Sequence, residues 1–209
     1  MTPRPIVAAF DVDGTLTTRD CVVPFLRRSL GTPRVVATFM RHPFRLVIAL
    51  IRRDRDRMKE LAVSAFAGRS AALTSAEGER FAADVEQRSM RPDSIARLAW
   101  HRRQGHQVVL VSASLDAYLR PLGQRLGVDD VLCATLDVGV DGNLTGRLVG
   151  RNCRGPEKVV RLNAWLAGRD VELWAYGDSP GDRELLARAD RPHLIAGLTI
   201  TAVPDGSAP

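Results

Sequence analysis

The sequence predicts an α/β fold: a doubly wound parallel sheet with an all-helical segment inserted after its first strand. Outside residues 18–90, apolar strand-like runs alternate with helical patterns, which is typical of a parallel sheet covered by helices. Residues 18–90 contain no convincing strand and carry consecutive helical patterns instead. With 209 residues, of which 45% are hydrophobic, the chain can bury one core together with a modest insertion.

The elements are predicted in order from these patterns. Strands are predicted over residues 5–13, 107–114, 130–138 and 171–179, and helices over residues 92–104, 115–126, 156–167 and 180–189. Helices of the insertion are predicted over residues 21–30, 33–53, 55–67 and 75–88. A hairpin is predicted over residues 137–148, with its turn at Asp141, Gly142 and Asn143. We therefore assign residues 1–17 and 91–209 to the α/β core and residues 18–90 to the insertion.

Polar residues end three of the predicted strands. Asp11 and Asp13 end the first strand, Ser112 lies at the end of the second, and Asp178 lies at the end of the last. In open α/β sheets the carboxyl ends of the strands form the ligand-binding crevice. Two neighbouring carboxylates repel each other and resist burial, so a cation or a chemical role is expected for them. A calcium loop does not fit, because Thr15 replaces its third ligand and no Glu stands at its bidentate position. A simple Asp-Gly turn remains an alternative for this stretch alone.

Four short motifs occur in an order that resembles a known superfamily. DVDGTLT at residues 11–17 resembles the first motif of the haloacid dehalogenase (HAD) superfamily of phosphatases and phosphotransferases. Ser112 in VVLVSAS resembles the second motif, Lys158 in GPEKVV the third, and Asp178 and Asp182 in YGDSPGD the fourth. The resemblance covers the α/β part, about two-thirds of the chain. It implies a Rossmann-like core with a helical cap inserted after the first motif.

The acids suit phosphoryl transfer on chemical grounds as well. A carboxylate such as Asp11 can attack phosphorus and form an aspartyl-phosphate. Mg²⁺ would screen the like charges, and Asp178 supplies a further carboxylate ligand. The resemblance implies that the backbone carbonyl of Asp13 completes the metal ligands from the protein. It also implies that the Asp13 carboxyl acts as general acid and then as general base.

The remaining motif residues are expected to bind phosphate or support the site. Lys158 would neutralise the phosphoryl charge, and Ser112 with the backbone N–H of Ala113 would donate hydrogen bonds to phosphoryl oxygens. Gly14 would let the backbone approach the phosphate, and Thr15 would support that loop. For Asp182, the resemblance implies a residue that orients metal-bound water and Lys158. The alternative for Asp182 is an acid favoured by the dipole at a helix N-terminus.

The same resemblance implies that the substrate is a phosphomonoester. The stretches FDVDGTLTTRDCVVPFLRR, GRNCRGPEKVVRL and AYGDSPGDRELL resemble the phosphoserine-phosphatase-like branch (subfamily IB), whose members hydrolyse phosphoserine, histidinol phosphate or phosphatidylglycerophosphate. The chain departs from phosphoserine phosphatases at residues 112–114, where Ser-Ala-Ser replaces Ser-Gly-Gly, and at Asp20, where they commonly have Glu. We expect a small phosphorylated metabolite as substrate. A lipid phosphatase of the phosphatidylglycerophosphate or lysophosphatidate type and a phosphotransferase or mutase are the alternatives.

The insertion carries much of the positive charge. The chain has a net charge of +6, and ten Lys or Arg but only two Asp lie between Arg27 and Lys59. The basic helices are predicted either to be an entry surface for a phosphorylated lipid or another polyanion, or to be a cap with a solvated face. Arg52, Arg53 and Arg57, together with Asp20, are candidate substrate contacts. A non-catalytic protein that binds membrane or nucleic acid is a further alternative, but the intact acid set counts against it, and we do not expect a nucleic-acid partner.

The cysteines and apolar runs predict a cytoplasmic protein. Cys21, Cys133 and Cys153 lie far apart and form no disulfide framework. The apolar run before Asp11 is too short for a signal peptide, and no apolar run reaches membrane-spanning length. Peripheral membrane contact through the basic insertion stays open, and the sequence carries no signal for an oligomeric state.

Overall fold

The computed structural model describes residues 4–52 and 54–195, with Arg45 described by its backbone alone. Its strands are β1 (Ile6–Phe10), β2 (Gln107–Leu115), β3 (Asp130–Ala134), β4 (Leu136–Val138), β5 (Leu144–Leu148), β6 (Glu172–Gly177) and β7 (Arg191–Leu194). Five of them form a sheet in the order β3-β2-β1-β6-β7, and every pairing in it is parallel. Helices cover the sheet, so the predicted doubly wound α/β fold is confirmed.

Nine helices are present in the described part of the chain. They are α1 (Val22–Leu30), α2 (Thr32–Arg41), α3 (Pro43–Ile51), α4 (Arg55–Ser64), α5 (Ala71–Arg88), α6 (Pro92–Arg103), α7 (Asp116–Leu126), α8 (Pro156–Leu166) and α9 (Arg183–Arg188). The first five lie between β1 and α6, where the sequence predicted an all-helical insertion. Within residues 4–52 and 54–195, none of the helices combines the length and the apolar character that crossing a membrane requires.

The helix predicted over residues 33–53 is wrong in one respect, because it is two helices. α2 ends at Arg41 and α3 begins at Pro43, and His42 between them has φ −127° and ψ 54°. Proline has no N–H to continue the helix, and it disfavours the helical conformation in the residue before it. The break was not predicted, because the helical pattern of apolar residues continues on both sides of His42 and Pro43.

The strand predicted over residues 130–138 is also two elements. β3 ends at Ala134 in the main sheet, and β4 pairs with β5 in a separate antiparallel sheet. This second pair is the predicted hairpin, and Asp141 Oδ1 accepts a hydrogen bond of 3.0 Å from the Asn143 N–H in its turn. The short edge strand β7 was not predicted, and the helix predicted over residues 180–189 is a 3₁₀ turn (Pro180–Asp182) followed by α9.

Two apolar clusters lie on opposite faces of the sheet, because successive strand side chains point to opposite sides. On one face, Val7 and Ala9 pack with side chains of α8 and α9. On the other, Ala8 and Phe10 share a cluster with buried residues of the inserted helices, including Phe25. The inserted helices are therefore packed against one face of the sheet, next to the end of β1.

Candidate active site

The carboxyl ends of β1, β2 and β6 bring the predicted acids together. β1 lies between β2 and β6, and the Asp11 N–H donates to the Tyr176 carbonyl at 2.9 Å, which fixes Asp11 directly after its strand. Carboxylate oxygens of Asp11, Asp178 and Asp182 all lie within 4.8 Å of one another. Strand ends that are far apart in the sequence thus form one acidic cluster at one edge of the sheet.

Lys158 holds two of these acids. Its Nζ donates to Asp11 Oδ1 and to Asp182 Oδ1, both at 2.5 Å, and only 2% of the side chain is exposed. The first turn of α8 positions it there. Burial alone would lower the pKa of the Lys158 ammonium, but the two neighbouring carboxylates outweigh this effect and raise it. Lys158 is therefore a fixed positive charge beside Asp11.

Asp182 holds Lys158 through one oxygen and its own loop through the other. Asp182 Oδ2 accepts hydrogen bonds from the Ser179 N–H at 3.1 Å and from Ser179 Oγ at 2.8 Å. These contacts form a capping box around the 3₁₀ turn that follows β6. Asp182 thus links the loop after Asp178 to the Lys158 ammonium, as its predicted orienting role requires.

Burial disfavours the charged form of Asp11, Asp13 and Asp178. It raises the pKa of Asp11 to about 7, although Lys158 opposes the rise, and it also raises the pKa of Asp13 and of Asp178. Asp11, Asp178 and Asp182 bring three carboxylates around the Lys158 ammonium, and oxygen donors of this kind are the ligands that Mg²⁺ prefers. The residues therefore fit a divalent cation held by the carboxylates of Asp11 and Asp178.

Asp13 contributes differently from its neighbour. Its Oδ2 accepts a hydrogen bond of 2.5 Å from Ser114 Oγ, and its Oδ1 accepts one of 2.9 Å from the Cys21 N–H. The carboxylates that cluster are thus Asp11, Asp178 and Asp182, whereas the predicted metal set was Asp11, Asp13 and Asp178. The backbone carbonyl remains the predicted Asp13 ligand, and the Asp13 carboxyl, bound to Ser114 and the Cys21 N–H, lines the same cleft.

The loop after β1 is shaped by a glycine and a threonine. Gly14 has φ +86°, and a Cβ built on it would lie 2.2 Å from Asp178 Oδ2. Thr15 Oγ1 donates to Asp178 Oδ1 at 3.1 Å, and the Thr15 carbonyl accepts from Ser94 Oγ at 2.6 Å. Only a residue without a side chain lets this loop lie so close to Asp178, and the hydrogen bonds of Thr15 tie the loop to Asp178 and Ser94.

Ser112 and Ala113 line the same cleft from the end of β2, and a lysine that was not predicted meets them. Ser112 Oγ accepts a hydrogen bond of 3.2 Å from the Ser114 N–H, and Lys59 Nζ donates to the Ala113 carbonyl at 2.8 Å. Burial lowers the pKa of Lys59 to about 8. The sequence carried a signal for this position. Lys59 lies four residues before the apolar Val63, and residues at this spacing share one face of a helix, here the buried face of α4.

The residues proposed as substrate contacts in the insertion are placed differently. Asp20 lines the cleft, which has a volume of about 450 Å³, while its Oδ1 accepts the N–H groups of Val22 and Val23 at the start of α1. Arg52 is exposed at the end of α3, outside the cleft lining. Arg57 pairs with Asp54 at 3.1 Å and lines a second cavity.

This placement corrects the prediction for Arg52 and Arg57. Arg57 lies two residues after Arg55, on nearly the opposite side of α4, and it is Arg55 that lines the cleft. Arg53 lies outside the described residues. Charge alone could not distinguish these arginines, because they lie close together within residues 52–57.

Known proteins resemble this chain over most of its length. Protein CicA of Caulobacter vibrioides is 38% identical over 189 residues, which are 90% of this chain and 84% of that protein. Phosphoserine phosphatase SerB1 of Mycobacterium tuberculosis is 30% identical over 207 residues, which are 95% of this chain and 65% of that protein. A crystal structure of a Bordetella pertussis protein of unknown function has a TM-score of 0.73 and 26% identity, covering 88% of this chain and 86% of its own.

Residues 8–187 match the haloacid dehalogenase-like hydrolase family, and this range includes all four motifs and the acidic cluster. The predictions of the superfamily and of an enzyme are therefore confirmed. The chain belongs to the haloacid dehalogenase-like hydrolase family.

Proposed function

We propose that this chain is a Mg²⁺-dependent phosphatase that hydrolyses a phosphomonoester through an aspartyl-phosphate on Asp11. The observation that carries the proposal is the Lys158 ammonium, which lies 2.5 Å from both Asp11 and Asp182 at the edge where Asp178 also lies. Such a centre combines a carboxylate nucleophile with fixed positive charge for a phosphoryl group. The family and the relative named as a phosphoserine phosphatase support the same activity.

In the first step, the free Oδ2 of Asp11 attacks phosphorus while Oδ1 stays bound to Lys158. The bond between phosphorus and the leaving oxygen breaks, and that oxygen takes a proton from the Asp13 carboxyl. Burial raises the pKa of Asp13, which favours the protonated acid that this step needs. Ser112 and Ala113 line the cleft, where Ser112 Oγ and the Ala113 N–H would hold the phosphoryl oxygens.

In the second step, water attacks the aspartyl-phosphate and gives its proton to Asp13. The bond between Asp11 and phosphorus breaks, which restores the carboxylate and releases inorganic phosphate. The net reaction consumes one phosphomonoester and one water and produces one alcohol and one phosphate. When bound by Asp11, Asp178 and the Asp13 carbonyl, Mg²⁺ would screen the negative charge of the phosphate and the carboxylates.

The inserted helices would act as a cap over this centre, and we propose residues 18–90 as its bounds. Side chains of α1, α2 and α4 line the cleft together with the acids. The sequence resemblance favours a small phosphorylated metabolite as substrate. We also propose a cytoplasmic location, because the three cysteines are buried and unpaired, which suits a reducing compartment.

Phosphate release from a panel of phosphomonoesters tests the proposal. The panel contains phosphoserine, histidinol phosphate, a sugar phosphate and phosphatidylglycerophosphate, each with Mg²⁺ and with EDTA. We expect release that requires Mg²⁺ and that Asp11→Asn abolishes. Asp116→Asn is the matched control, because Asp116 is also a partly buried acid but binds the N–H groups of Ala117 and Leu136 outside the cleft.

Three results would contradict the proposal: release that persists in EDTA, release by Asp11→Asn, or no release by the folded protein with Mg²⁺. Transfer of the phosphoryl group to an added alcohol rather than to water would make the chain a phosphotransferase.

A further inference from the structure

One wall of the active-site cleft is apolar. The cleft runs from the acidic cluster to helices α1, α2 and α4, and its volume of about 450 Å³ falls within the range of pockets that hold organic ligands. The apolar side chains on this wall are Val22, Val23, Leu26, Val35, Phe39, Met58 and Ala62. Phosphate itself needs none of them, so this wall is available to the part of a substrate that leaves with the oxygen.

Three charged residues of the insertion line the cleft beside this wall, namely Asp20, Arg55 and Lys59. The Asp20 carboxylate accepts N–H groups at the start of α1 through Oδ1, and the Lys59 ammonium donates to the Ala113 carbonyl. These bonds hold Asp20 and Lys59 in place beside the apolar wall. An apolar leaving group would gain from the wall without breaking them.

We propose that the substrate is a phosphomonoester whose leaving alcohol carries an apolar body, such as an alkyl, aryl or acyl chain, which packs on this wall. The inference rests on the proposed phosphatase function. Hydrolysis consumes one water and breaks the bond between phosphorus and oxygen, the oxygen keeps the apolar body and gains a proton from Asp13, and the products are the apolar alcohol and inorganic phosphate.

A chain-length series tests this substrate class. The compounds are ethyl, butyl, hexyl and octyl phosphate, with phosphoserine for comparison, all assayed for phosphate release with Mg²⁺. We expect kcat/KM to rise about fourfold for each methylene that the wall buries and then to level off. Phe39→Ser should reduce the ratio of octyl to ethyl phosphate, because Phe39 is the largest side chain on the wall.

Leu73→Ser is the control, because Leu73 is an exposed apolar residue of α5 away from the cleft, and the ratio should not change. The inference would be overturned if kcat/KM stayed constant or fell with chain length, or if kcat/KM for phosphoserine exceeded that for octyl phosphate. In either case, hydrolysis of ethyl phosphate would still support the phosphatase proposal. No hydrolysis of any compound would overturn both.

A different observation, the exposed face of α2 and α3, carries a second inference. We define the α2–α3 surface by Val36, Met40, Phe44, Val47 and Ile51. Met40 is 70% exposed, Phe44 83% and Ile51 77%. Exposed apolar side chains that repeat every three or four residues along two consecutive helices are typical of surfaces that bind a membrane or another molecule.

Charge determines which occupant fits the α2–α3 surface. Residues 32–51 contain no Asp or Glu, and Arg41 and Arg52 are exposed at the ends of α2 and α3. A second copy of the chain would bring the same positive charge against itself. A bilayer with anionic lipids offers negative charge for the arginines and an apolar interior for Phe44 and Ile51. We infer that the α2–α3 surface docks on an anionic membrane.

Sedimentation with lipid vesicles tests the docking, with the full chain and with vesicles of phosphatidylcholine alone or mixed with phosphatidylglycerol. We expect binding that needs the anionic lipid and weakens as salt rises. The double variant Phe44→Ser/Ile51→Ser should bind at least about tenfold more weakly. Leu73→Ser/Val140→Ser removes two other exposed apolar side chains and should bind as the unchanged chain does.

Three outcomes would overturn the docking inference. They are equal binding to both vesicle types, undiminished binding by the Phe44→Ser/Ile51→Ser variant, and absence of vesicle binding. A chain that is dimeric by light scattering, becomes monomeric in this variant and does not bind vesicles would show that a second copy covers the surface instead.

Discussion

At the scale of single residues, Asp11 and Asp13 are separated by one residue and have different surroundings. Asp11 contacts the Lys158 ammonium, whereas Asp13 accepts hydrogen bonds from Ser114 Oγ and the Cys21 N–H. Burial raises the pKa of Asp11 to about 7, but the Lys158 ammonium opposes the rise and favours the carboxylate form that a nucleophile needs. Burial also raises the pKa of Asp13, whose hydrogen-bond donors are uncharged, and this suits a proton donor.

Lys59 gives a pH prediction. Burial lowers its pKa to about 8, so its ammonium loses its charge as the pH rises through that value. The charge lies at the cleft, where it attracts a phosphate dianion, and we therefore expect kcat/KM to fall above about pH 8. Lys59→Arg keeps its charge over this range, so its profile, normalised at pH 7, should lack this alkaline decrease. The measurement is kcat/KM against pH for both proteins, with circular dichroism as the check of folding.

An identical alkaline decrease in the Lys59→Arg variant would show that another group titrates, and the assignment to Lys59 would then be wrong.

Gly14 gives a second prediction at this scale. In Gly14→Ala the new Cβ would lie 2.2 Å from Asp178 Oδ2 and would strain a backbone with φ +86°, so the loop and Asp178 must move apart. A displacement of this size in an active site lowers kcat by about 100-fold. Gly105→Ala is the matched control, because Gly105 has φ +74° but no atom within 4 Å of its Cβ position. Equal activity losses in both variants would attribute the effect to backbone strain rather than to Asp178.

The positions of the acids could be predicted from the sequence. An Asp that directly follows a buried parallel strand must lie at the carboxyl end of that strand, where the sheet forms its ligand-binding crevice. The orientation of the Asp13 carboxylate could not, because it depends on Ser114, which is 101 residues away. The contact between Lys59 and the Ala113 carbonyl likewise joins residues 54 positions apart. The sequence order of these partners gives no information about their distance in space.

At the scale of elements, local periodicity predicted the type of most segments but not their interruptions. The pair His42-Pro43 interrupts a continuous helical pattern, and Pro43 is compatible with the first turn of a new helix. β3 and β4 are one apolar run in the sequence but belong to different sheets. β7 contains Pro192, which weakens a strand signal and is tolerated here because β7 lies at the edge of the sheet.

The contact between α5 and α7 gives a prediction about elements. Gly78 of α5 faces the backbone of α7, and a Cβ on it would lie 1.8 Å from the Ala117 carbonyl oxygen. Gly78→Ala should therefore push the helices apart and cost about 1–3 kcal/mol of the free energy of unfolding, which lowers Tm by roughly 2–12 °C. Calorimetry measures this shift. Exposed Glu79→Ala on the same helix should leave Tm nearly unchanged, and an equal or higher Tm for Gly78→Ala would show that α5 does not pack on α7 as described.

At the scale of the whole molecule, the fold class followed from the alternation of strands and helices, and the site followed from the rule that parallel strand ends share one edge. The cleft could not be foreseen in the same way. Its second wall comes from α1, α2 and α4, and their arrangement depends on packing, including the cluster that joins Phe25 to Phe10. The sequence showed that these helices are basic, whereas their apolar side faces the site.

Mg²⁺ should stabilise the whole fold if the acids hold it. A ligand that binds only the folded chain, at one hundred times its Kd, adds about 2.7 kcal/mol to the free energy of unfolding, which raises Tm by roughly 5–11 °C. Differential scanning fluorimetry with and without Mg²⁺ measures the shift. Asp178→Asn should reduce it strongly, and Asp116→Asn should not. A shift that is the same in Asp178→Asn would place the cation elsewhere.

The central claim is that Asp11 becomes phosphorylated during turnover, and chemical trapping tests it most directly. The chain is mixed with Mg²⁺ and a phosphomonoester that it hydrolyses, quenched, and treated with borohydride, which reduces an aspartyl-phosphate to homoserine. Mass spectrometry of the peptide that contains residues 5–19 then locates the change. We predict homoserine at position 11 only when both Mg²⁺ and substrate are present. Turnover without any change at Asp11, or with the change at another acid, would contradict the account.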